Sequence, residues 1–317
     1  MPHATAAYLA CKSREDGIPG LRGVCMTERK VCGVVVTFRP RPEDLENFAK
    51  LRPQVQGLAV VDNGSSEEKR NLLRIASREC DFTLIENGDN LGIATALNIG
   101  VKWAQSEGYD WVALFDQDST PPPAFIDTMC HAYDTNRRGD RIALLVPRYI
   151  DSRLGVSLPA MYAGDGSLQV AMTSGSLMPI AIFSQEGWFE ESLFIGGVDY
   201  EYCLRLRSKG YSVEECTEAV LLHAPADFTE CRVNGSRLFR TSNYSAERRY
   251  YRDRNNIWMM RKYCTRFPAL FLSTLSNSLK DCLKILLAEN DKRRKVYHMV
   301  RGVRDGLLGR MGKTVEL

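Results

Sequence analysis

"VCGVVVTF", residues 31–38, is the stretch that decides the fold. It is an unbroken apolar run rich in β-branched side chains. A strand with one wet face alternates in polarity, whereas a strand covered on both faces does not. The run therefore predicts a central strand with helices above and below it. Arg39-Pro40-Arg41-Pro42 ends it, and Leu45, Phe48 and Leu51 follow at helical spacing. The same alternation then repeats. "GLAVVDNGSS" (57–66) is a second buried strand ending in a polar turn, and Ser65 and Ser66 can cap a helix running to about Arg78. "DFTLIEN" (81–87) is a third strand, and "NLGIATALNIGVKWAQ" (90–105) opens on glycine and continues helically. "YDWVALFDQDS" (109–119) is a fourth strand, followed by a helix from about Pro123 and a strand at "RIALLVP" (141–147). This pattern predicts a right-handed, doubly wound α/β fold with a mostly parallel sheet over residues 30–150. Residues 151–223 are less regular, with one helix near 199–209. Helical periodicity returns over 246–263, 268–289 and about 291–309.

Composition narrows the class. The chain has 317 residues and a net charge of +3, so wholesale nucleic-acid binding is not expected. No run approaches the roughly 18 apolar residues of a membrane span. The ten cysteines form no Cys-x-x-Cys pair, which argues against a zinc cluster and for thiols of a reducing, cytoplasmic compartment. Residues 1–29 lack sustained periodicity and read as a loose extension, with Met26 a candidate start. The other end differs: residues 280–317 hold ten Lys/Arg and five Asp/Glu, so the tail is +5 and the rest about −2. Leu272, Leu275, Leu279, Leu283 and Leu286 form a stripe just before and within it. Two readings follow: a peripheral contact with an anionic membrane face, or a stripe packed on the preceding domain with the charges solvated.

The chemistry sits at the strand ends. Ligands of open parallel sheets bind there. The second strand ends in Asp62-Asn63-Gly64-Ser65 and the fourth in Asp116-Gln117-Asp118-Ser119. Asn90, Gly92 and Asn98 open the helix between them, where a helix N-terminus can meet phosphate oxygens. The two carboxylates of Asp116 and Asp118 are expected to point differently, one toward a ribose or sugar and one toward a metal. A divalent, oxygen-seeking cation beside a diphosphate would neutralise a leaving group. The set therefore suggests a nucleotide-diphosphate substrate with Mg²⁺ or Mn²⁺. Each piece has a plainer reading, since Asp-Asn-Gly-Ser is a common turn and Asn-Leu-Gly can simply start a helix. Their joint occurrence on successive strand ends favours a site.

"VVVTF", "VVDNGSS", "NLGIATALNIG" and "LFDQDS", in this order, resemble the family 2 glycosyltransferases with a GT-A fold. The resemblance continues through "TSGSL" (173–177), "LFIGGVDYEYCLRLRSKGY" (193–211), "LLHAPAD" (221–227) and "RRYYRDRNNIWMMRKY" (248–263). The last two blocks look like bacterial rhamnosyltransferases that use dTDP-L-rhamnose. The resemblance implies a catalytic domain over 30–225, with a nucleotide-binding half (30–150) and an acceptor half (151–225), and a C-terminal helical region over 226–317. It implies Thr37 and Asp62 at the nucleobase, Asn90, Gly92 and Asn98 along the sugar-diphosphate, and Asp116 near the ribose or sugar. Asp118 would be the metal ligand, with His223 near the metal or diphosphate. Asp199 would be the catalytic base of an inverting transfer, followed by Glu201 and Arg205. Gly175, Glu201, Arg249 and Arg254 would lie on the acceptor or diphosphate side. The implied acceptor is a glycolipid or lipid-linked saccharide of O-antigen, cell-surface polysaccharide or rhamnolipid synthesis. Relatives often carry Asp at the position of Gly196 and Glu at that of Val198, which bears on the acceptor. Another nucleotide sugar is an alternative donor. A rival reading takes Asp116 and Asp118 of "FDQDST" as nucleophile and acid of a haloacid-dehalogenase-type phosphatase, but that motif ends a first strand, and here three strands precede it. A nucleotidyltransferase would want a glycine-rich loop where this chain has "TFRPRP".

Overall fold

Strand β1 (Val31–Thr37) is buried along its whole length, as its unbroken apolar run requires. The computed structural model describes residues 29–223, 229–233 and 236–316. The extension expected over 1–29 (apart from Arg29), the Met26 start and residues 224–227 of "LLHAPAD" lie outside them. Helix α1 (Pro42–Leu51) follows, then β2 (Gly57–Asp62), α2 (Glu67–Glu79), β3 (Thr83–Glu86), α3 (Ile93–Ser106) and β4 (Trp111–Asp116). Alternate residues of β1 enter different cores. Cys32, Val34 and Val36 pack with Ala94, Leu97 and Val101 of α3. Val31 and Val35 pack on the other side with Phe48, Leu51, Leu73 and Met129. Two-sided burial is what separates this strand from an amphipathic one.

The chain continues through α4 (Phe125–Thr135), β5 (Ile142–Asp151), a small hairpin of β6 (Met161–Tyr162) and β7 (Leu168–Val170), β8 (Ser176–Pro179), α5 (Ala181–Glu186), α6 (Val198–Ser208) and β9 (Ser212–His223). The central sheet has seven strands in the order β3-β2-β1-β4-β8-β5-β9. β1 pairs in parallel with β2 and β4, and β5 with β9. β8 runs antiparallel between β4 and β5. The sheet is therefore mostly parallel, with the reversed strand marking the join between its two parts.

A second hairpin, β10 (Thr229–Val233) with β11 (Ser236–Thr241), stands before the terminal helices α7 (Ala246–Tyr263), α8 (Pro268–Ala288) and α9 (Lys292–Leu308). The sequence signal for it is Asn234-Gly235, a frequent hairpin turn pair. Helix α9 lies directly on α7. A Cβ added at Gly302 would come within 2.5 Å of the Tyr250 carbonyl oxygen, and one at Gly306 within 2.5 Å of that of Arg254. Helix α8 is different, because only Leu270, Phe271 and Ile285 are buried in its 21 residues. The leucine stripe is in the open, with Leu272 at 68% exposure and Leu279 at 70%. The expectation that the stripe packs on the preceding domain is thus not met. No helix among the described residues is long and apolar enough to cross a membrane.

The α7–α9 contact leads to a stability prediction. Gly306→Val forces a side chain against backbone, which cannot yield as a flexible side chain would. The expected loss is about 1–3 kcal/mol, read as a lower urea midpoint, and an unchanged midpoint would contradict the close packing.

Candidate active site

Parallel pairing sets the first geometry. Thr37 stands opposite Asp62, and Val36 opposite Asp116, so β2 and β4 release their carboxylates on either side of the end of β1. Asp62 is fully buried. Its Oδ2 accepts from the Ser65 N–H at 3.1 Å. Its Oδ1 is buried with no partner among the described residues. An acceptor left without a donor inside a protein is costly, and an incoming N–H would satisfy it. Thr37 is engaged already. Its hydroxyl donates to Gln117 Oε1 at 2.8 Å, and the same oxygen accepts from the Phe38 N–H at 2.8 Å. Gln117 Nε2 in turn donates to Asp44 Oδ2 at 3.1 Å. Thr37 therefore ties β1 to the turn after β4 through its hydroxyl.

That turn carries the second cluster. Asp116, Asp118 and His223 offer ligand atoms that all lie within 4.8 Å of one another. The strand ends at Asp116, and the next residues form a turn closed by the Ser119 N–H, which donates to the Asp116 carbonyl at 3.1 Å. The expectation that Asp116 and Asp118 point differently is therefore not met: Gln117 reaches to Thr37 and Asp44, and the turn brings the two acids together. His223 arrives from the far edge of the sheet, since Asp151 of β5 pairs with it and Thr120 bridges Leu222. Its Nδ1 is buried without a partner among the described residues. Burial, together with the neighbouring charge of Asp118, raises Asp116 above the ordinary carboxylate range, while His223 opposes this. Two crowded carboxylates and an imidazole with an unused nitrogen are a donor set suited to a divalent cation such as Mg²⁺ or Mn²⁺. Ser174 braces the turn: its hydroxyl accepts from the Asp116 N–H at 3.0 Å and lies 2.7 Å from the Ser119 hydroxyl.

Asp199 opens α6 one residue after its start. Burial pushes its pKa up to about 7, against the Tyr200 N–H that accompanies it, and the charge of Asp116 adds to the rise. The two carboxylates are thus close enough for their charges to interact. Glu201, in contrast, is fully buried and bound to Arg205 at 2.8 Å, Lys262 at 3.0 Å and the Tyr263 hydroxyl at 2.6 Å. Burial alone would raise it, but these partners outweigh burial and hold it below the ordinary range. It is an ion-pair anchor between α6 and α7, not an acid on the acceptor side.

Other expected residues prove to be braces. Asn90 Oδ1 accepts from Asn63 Nδ2 and from the Gly92 N–H, so it shapes the turn before α3. At Gly92 the space is filled by Phe194, whose carbonyl takes the Ile93 N–H at 2.8 Å. The expected open helix N-terminus is therefore closed at its first N–H. Asn98 is buried with both ends of its amide bound to the backbone of Phe189, and it also donates to Glu191. It fixes that loop and does not reach along a diphosphate. Gly175 has φ +76°, and a Cβ added there would meet Leu221, Pro147 and Phe125 in the core. Arg249 is buried between Asp281 and Glu289, both at 3.1 Å. Arg254 is buried against the carbonyls of Leu193 and Gly312. A buried guanidinium needs such partners, so neither is free for phosphate.

Asn255 is a residue the sequence reading missed. Its Nδ2 lies within 2.9 Å of the carbonyl oxygens of Leu193, Ile195 and Gly196. With Arg254 it holds the loop that delivers Asp199. Above that loop is a cavity of about 550 Å³, with Asp199 and Tyr200 on one wall and Arg248, Arg252, Asn277 and Asp281 on others.

A mostly parallel sheet with acidic strand ends and an aspartate at the following helix is the arrangement of a GT-A glycosyltransferase, and comparison with known proteins agrees. Residues 35–159 match the family described as Glycosyl transferase family 2. The chain is 26% identical over 302 residues to the dTDP-rhamnosyl transferase RfbF of Shigella flexneri, covering 89% of this chain and 97% of that one. Mannosyltransferase PcManGT from Pyrobaculum calidifontis, solved with GDP-Man and Mn²⁺, superposes with a TM-score of 0.56 over 96% of this chain and 94% of its own, at 14% identity. GalNAc-T7, solved with UDP, GalNAc and Mn²⁺, gives a TM-score of 0.56 over 88% of this chain and 56% of its own, at 12% identity. The chain is a glycosyltransferase with the GT-A fold, and its match to the family 2 model spans residues 35–159. The phosphatase reading of Asp116 and Asp118 falls with this.

The buried anchor can be tested separately from chemistry. Glu201→Ala leaves Arg205 and Lys262 without their counter-charge. Breaking a buried pair in this way costs about 3–5 kcal/mol, so the melting temperature should drop by many degrees. A variant with wild-type stability would show that Glu201 is not an anchor.

Proposed function

We propose that this enzyme moves L-rhamnose from dTDP-L-rhamnose to a hydroxyl of a glycolipid or lipid-linked saccharide, with inversion and with a divalent cation. The observation that carries the chemistry is Asp199: a carboxylate with its pKa raised to about 7, on the wall of a cavity and close enough to Asp116 of the Asp116–Asp118–His223 cluster for their charges to interact. The nearest other acid of its helix, Glu201, is neutralised by three partners. One free base suits a single displacement, which needs no carboxylate nucleophile. The rhamnose donor is supported by the name of the Shigella flexneri relative, and the cation by the Mn²⁺ in both solved neighbours. The setting we infer is the cytoplasmic side of a membrane, touched peripherally by the C-terminal helices, in O-antigen, cell-surface polysaccharide or rhamnolipid synthesis.

The chain's own residues divide the work. Asp62 Oδ1, unpartnered in the structure, accepts the ring N–H of the base. Asp116, Asp118 and His223 would hold the cation, which when bound neutralises charge on the leaving diphosphate. Asp199 takes the proton of the acceptor hydroxyl as its oxygen attacks the anomeric carbon. A base must be deprotonated to act, and a pKa near the working pH suits that role.

A panel of dTDP- and UDP-sugars with a total lipid extract, read by mass, tests the donor. A shift of one deoxyhexose from dTDP-L-rhamnose alone is expected, and transfer from a UDP-sugar instead would overturn it. Asp199→Asn should fold, bind dTDP and lose about 10²–10⁴ in kcat. With the wild type, kcat/KM should rise with pH and level off above about 7, the value to which Asp199 is raised, because protonation below it removes the base. A flat profile from pH 5 to 8 would contradict the assignment. Excess EDTA should abolish transfer and Mn²⁺ restore it, whereas Asp118→Ala should stay inactive at any Mn²⁺ concentration that rescues the wild type.

A further inference from the structure

Helix α8 has two opposed faces. Ser273, Thr274, Asn277 and Asp281 turn inward and line the cavity that holds Asp199. At 100° per residue, Leu272, Leu275, Leu279, Leu283 and Leu286 point the other way. All five are exposed, and Leu287 beside them is 68% exposed. Helix α9 extends the surface with exposed Val300, Val303 and Leu307. Leucines in such a contiguous row, all open to water, mark an interaction surface.

Charge decides what covers it. Over residues 268–310 the exposed cations are Lys280, Lys292, Arg293, Arg294, Arg304 and Arg310; Arg294 pairs with Glu247 and Arg304 and Arg310 with Asp305, while Lys280, Lys292 and Arg293 have no ion-pair partner among the described residues. The acids there are mostly withdrawn: Glu289 and Asp305 are buried, Asp281 is half-buried, and Asp291 alone is exposed. Two copies joined through this face would set like charges against each other. An anionic lipid surface would instead accept both the leucines and the cations.

We propose that α8 lies in the interface of an anionic bilayer, leucines down, so that the cavity over Asp199 opens at the height of the lipid headgroups. This rests on the reading that the acceptor is held by a membrane, and it adds how that acceptor reaches the base. The acceptor stays anchored while its sugar crosses the width of one helix, and the dTDP side stays in water.

Flotation with phosphatidylglycerol/phosphatidylcholine vesicles and with phosphatidylcholine alone tests this on the full chain. Binding to the anionic vesicles at low salt is expected, at least tenfold weaker with neutral vesicles or at high salt. Leu279→Glu with Leu283→Glu should abolish it, and Lys292→Glu with Arg293→Glu should weaken it about tenfold. Circular dichroism checks that both variants fold, and a thermal shift with dTDP and Mn²⁺ reports the donor site independently. A wrong donor would change the thermal shift and leave flotation intact. Equal recovery with both lipids would overturn the proposal. So would undiminished binding by the folded leucine variant. A third overturning result is no flotation together with a dimer, seen by light scattering, that the leucine substitutions dissolve.

Discussion

The parallel pairing of β1 with both β2 and β4 is the constraint on which the site depends. Hydrogen-bond register places Thr37 level with Asp62 and Val36 level with Asp116. β1 takes helices on both sides because neither of its faces is wet. Burial on both faces is thus a packing fact with a chemical result. It brings two polar turns to one edge of an apolar slab, where local water is scarce and charges interact strongly. The raised pKa values of Asp116 and Asp199 follow from that setting.

The second constraint comes from the C-terminal helices. Arg254 and Asn255 of α7 grip the carbonyls of the segment before α6, and Phe194 within it has φ +63°. A bulky residue rarely adopts that conformation, which costs of order 1–3 kcal/mol and persists only when neighbours enforce it. Here they do: Phe194 fills the space at Gly92, and its carbonyl takes the Ile93 N–H. The catalytic aspartate we assign is therefore delivered by a loop locked between α3 and α7. Glu201 adds an ion-pair anchor two residues further on. Helices α7 to α9 belong to the working enzyme on this view.

Much of this was legible in the sequence, for physical reasons. Unbroken β-branched runs such as residues 31–38 have few alternatives to a doubly buried strand, and the periodicity of 246–263 and 268–289 gave the terminal helices to within a residue. The convergence of Asp116 with Asp118 is made by the turn that follows the strand end, which strand alternation does not describe. Other features were not legible. The antiparallel β8 depends on long-range pairing that a four-residue strand does not announce. Arg249 and Arg254 look like phosphate ligands in "RRYYRDRN", and only their burial beside Glu289, Asp281 and backbone carbonyls shows otherwise. The side-chain polar atoms of Asn98 and Thr37 likewise have partners within the fold that the sequence does not announce. A sequence motif names residues that matter without saying whether they touch the substrate or hold what does.

The central claim is that one free carboxylate, Asp199, drives a single displacement at the anomeric carbon. The configuration of that carbon in the product, read by NMR from the one-bond carbon–proton coupling, addresses it most directly. The account predicts a glycoside of configuration opposite to that of the donor. A product of retained configuration would contradict it, because two successive displacements need a carboxylate nucleophile that the arrangement around Asp199 does not supply.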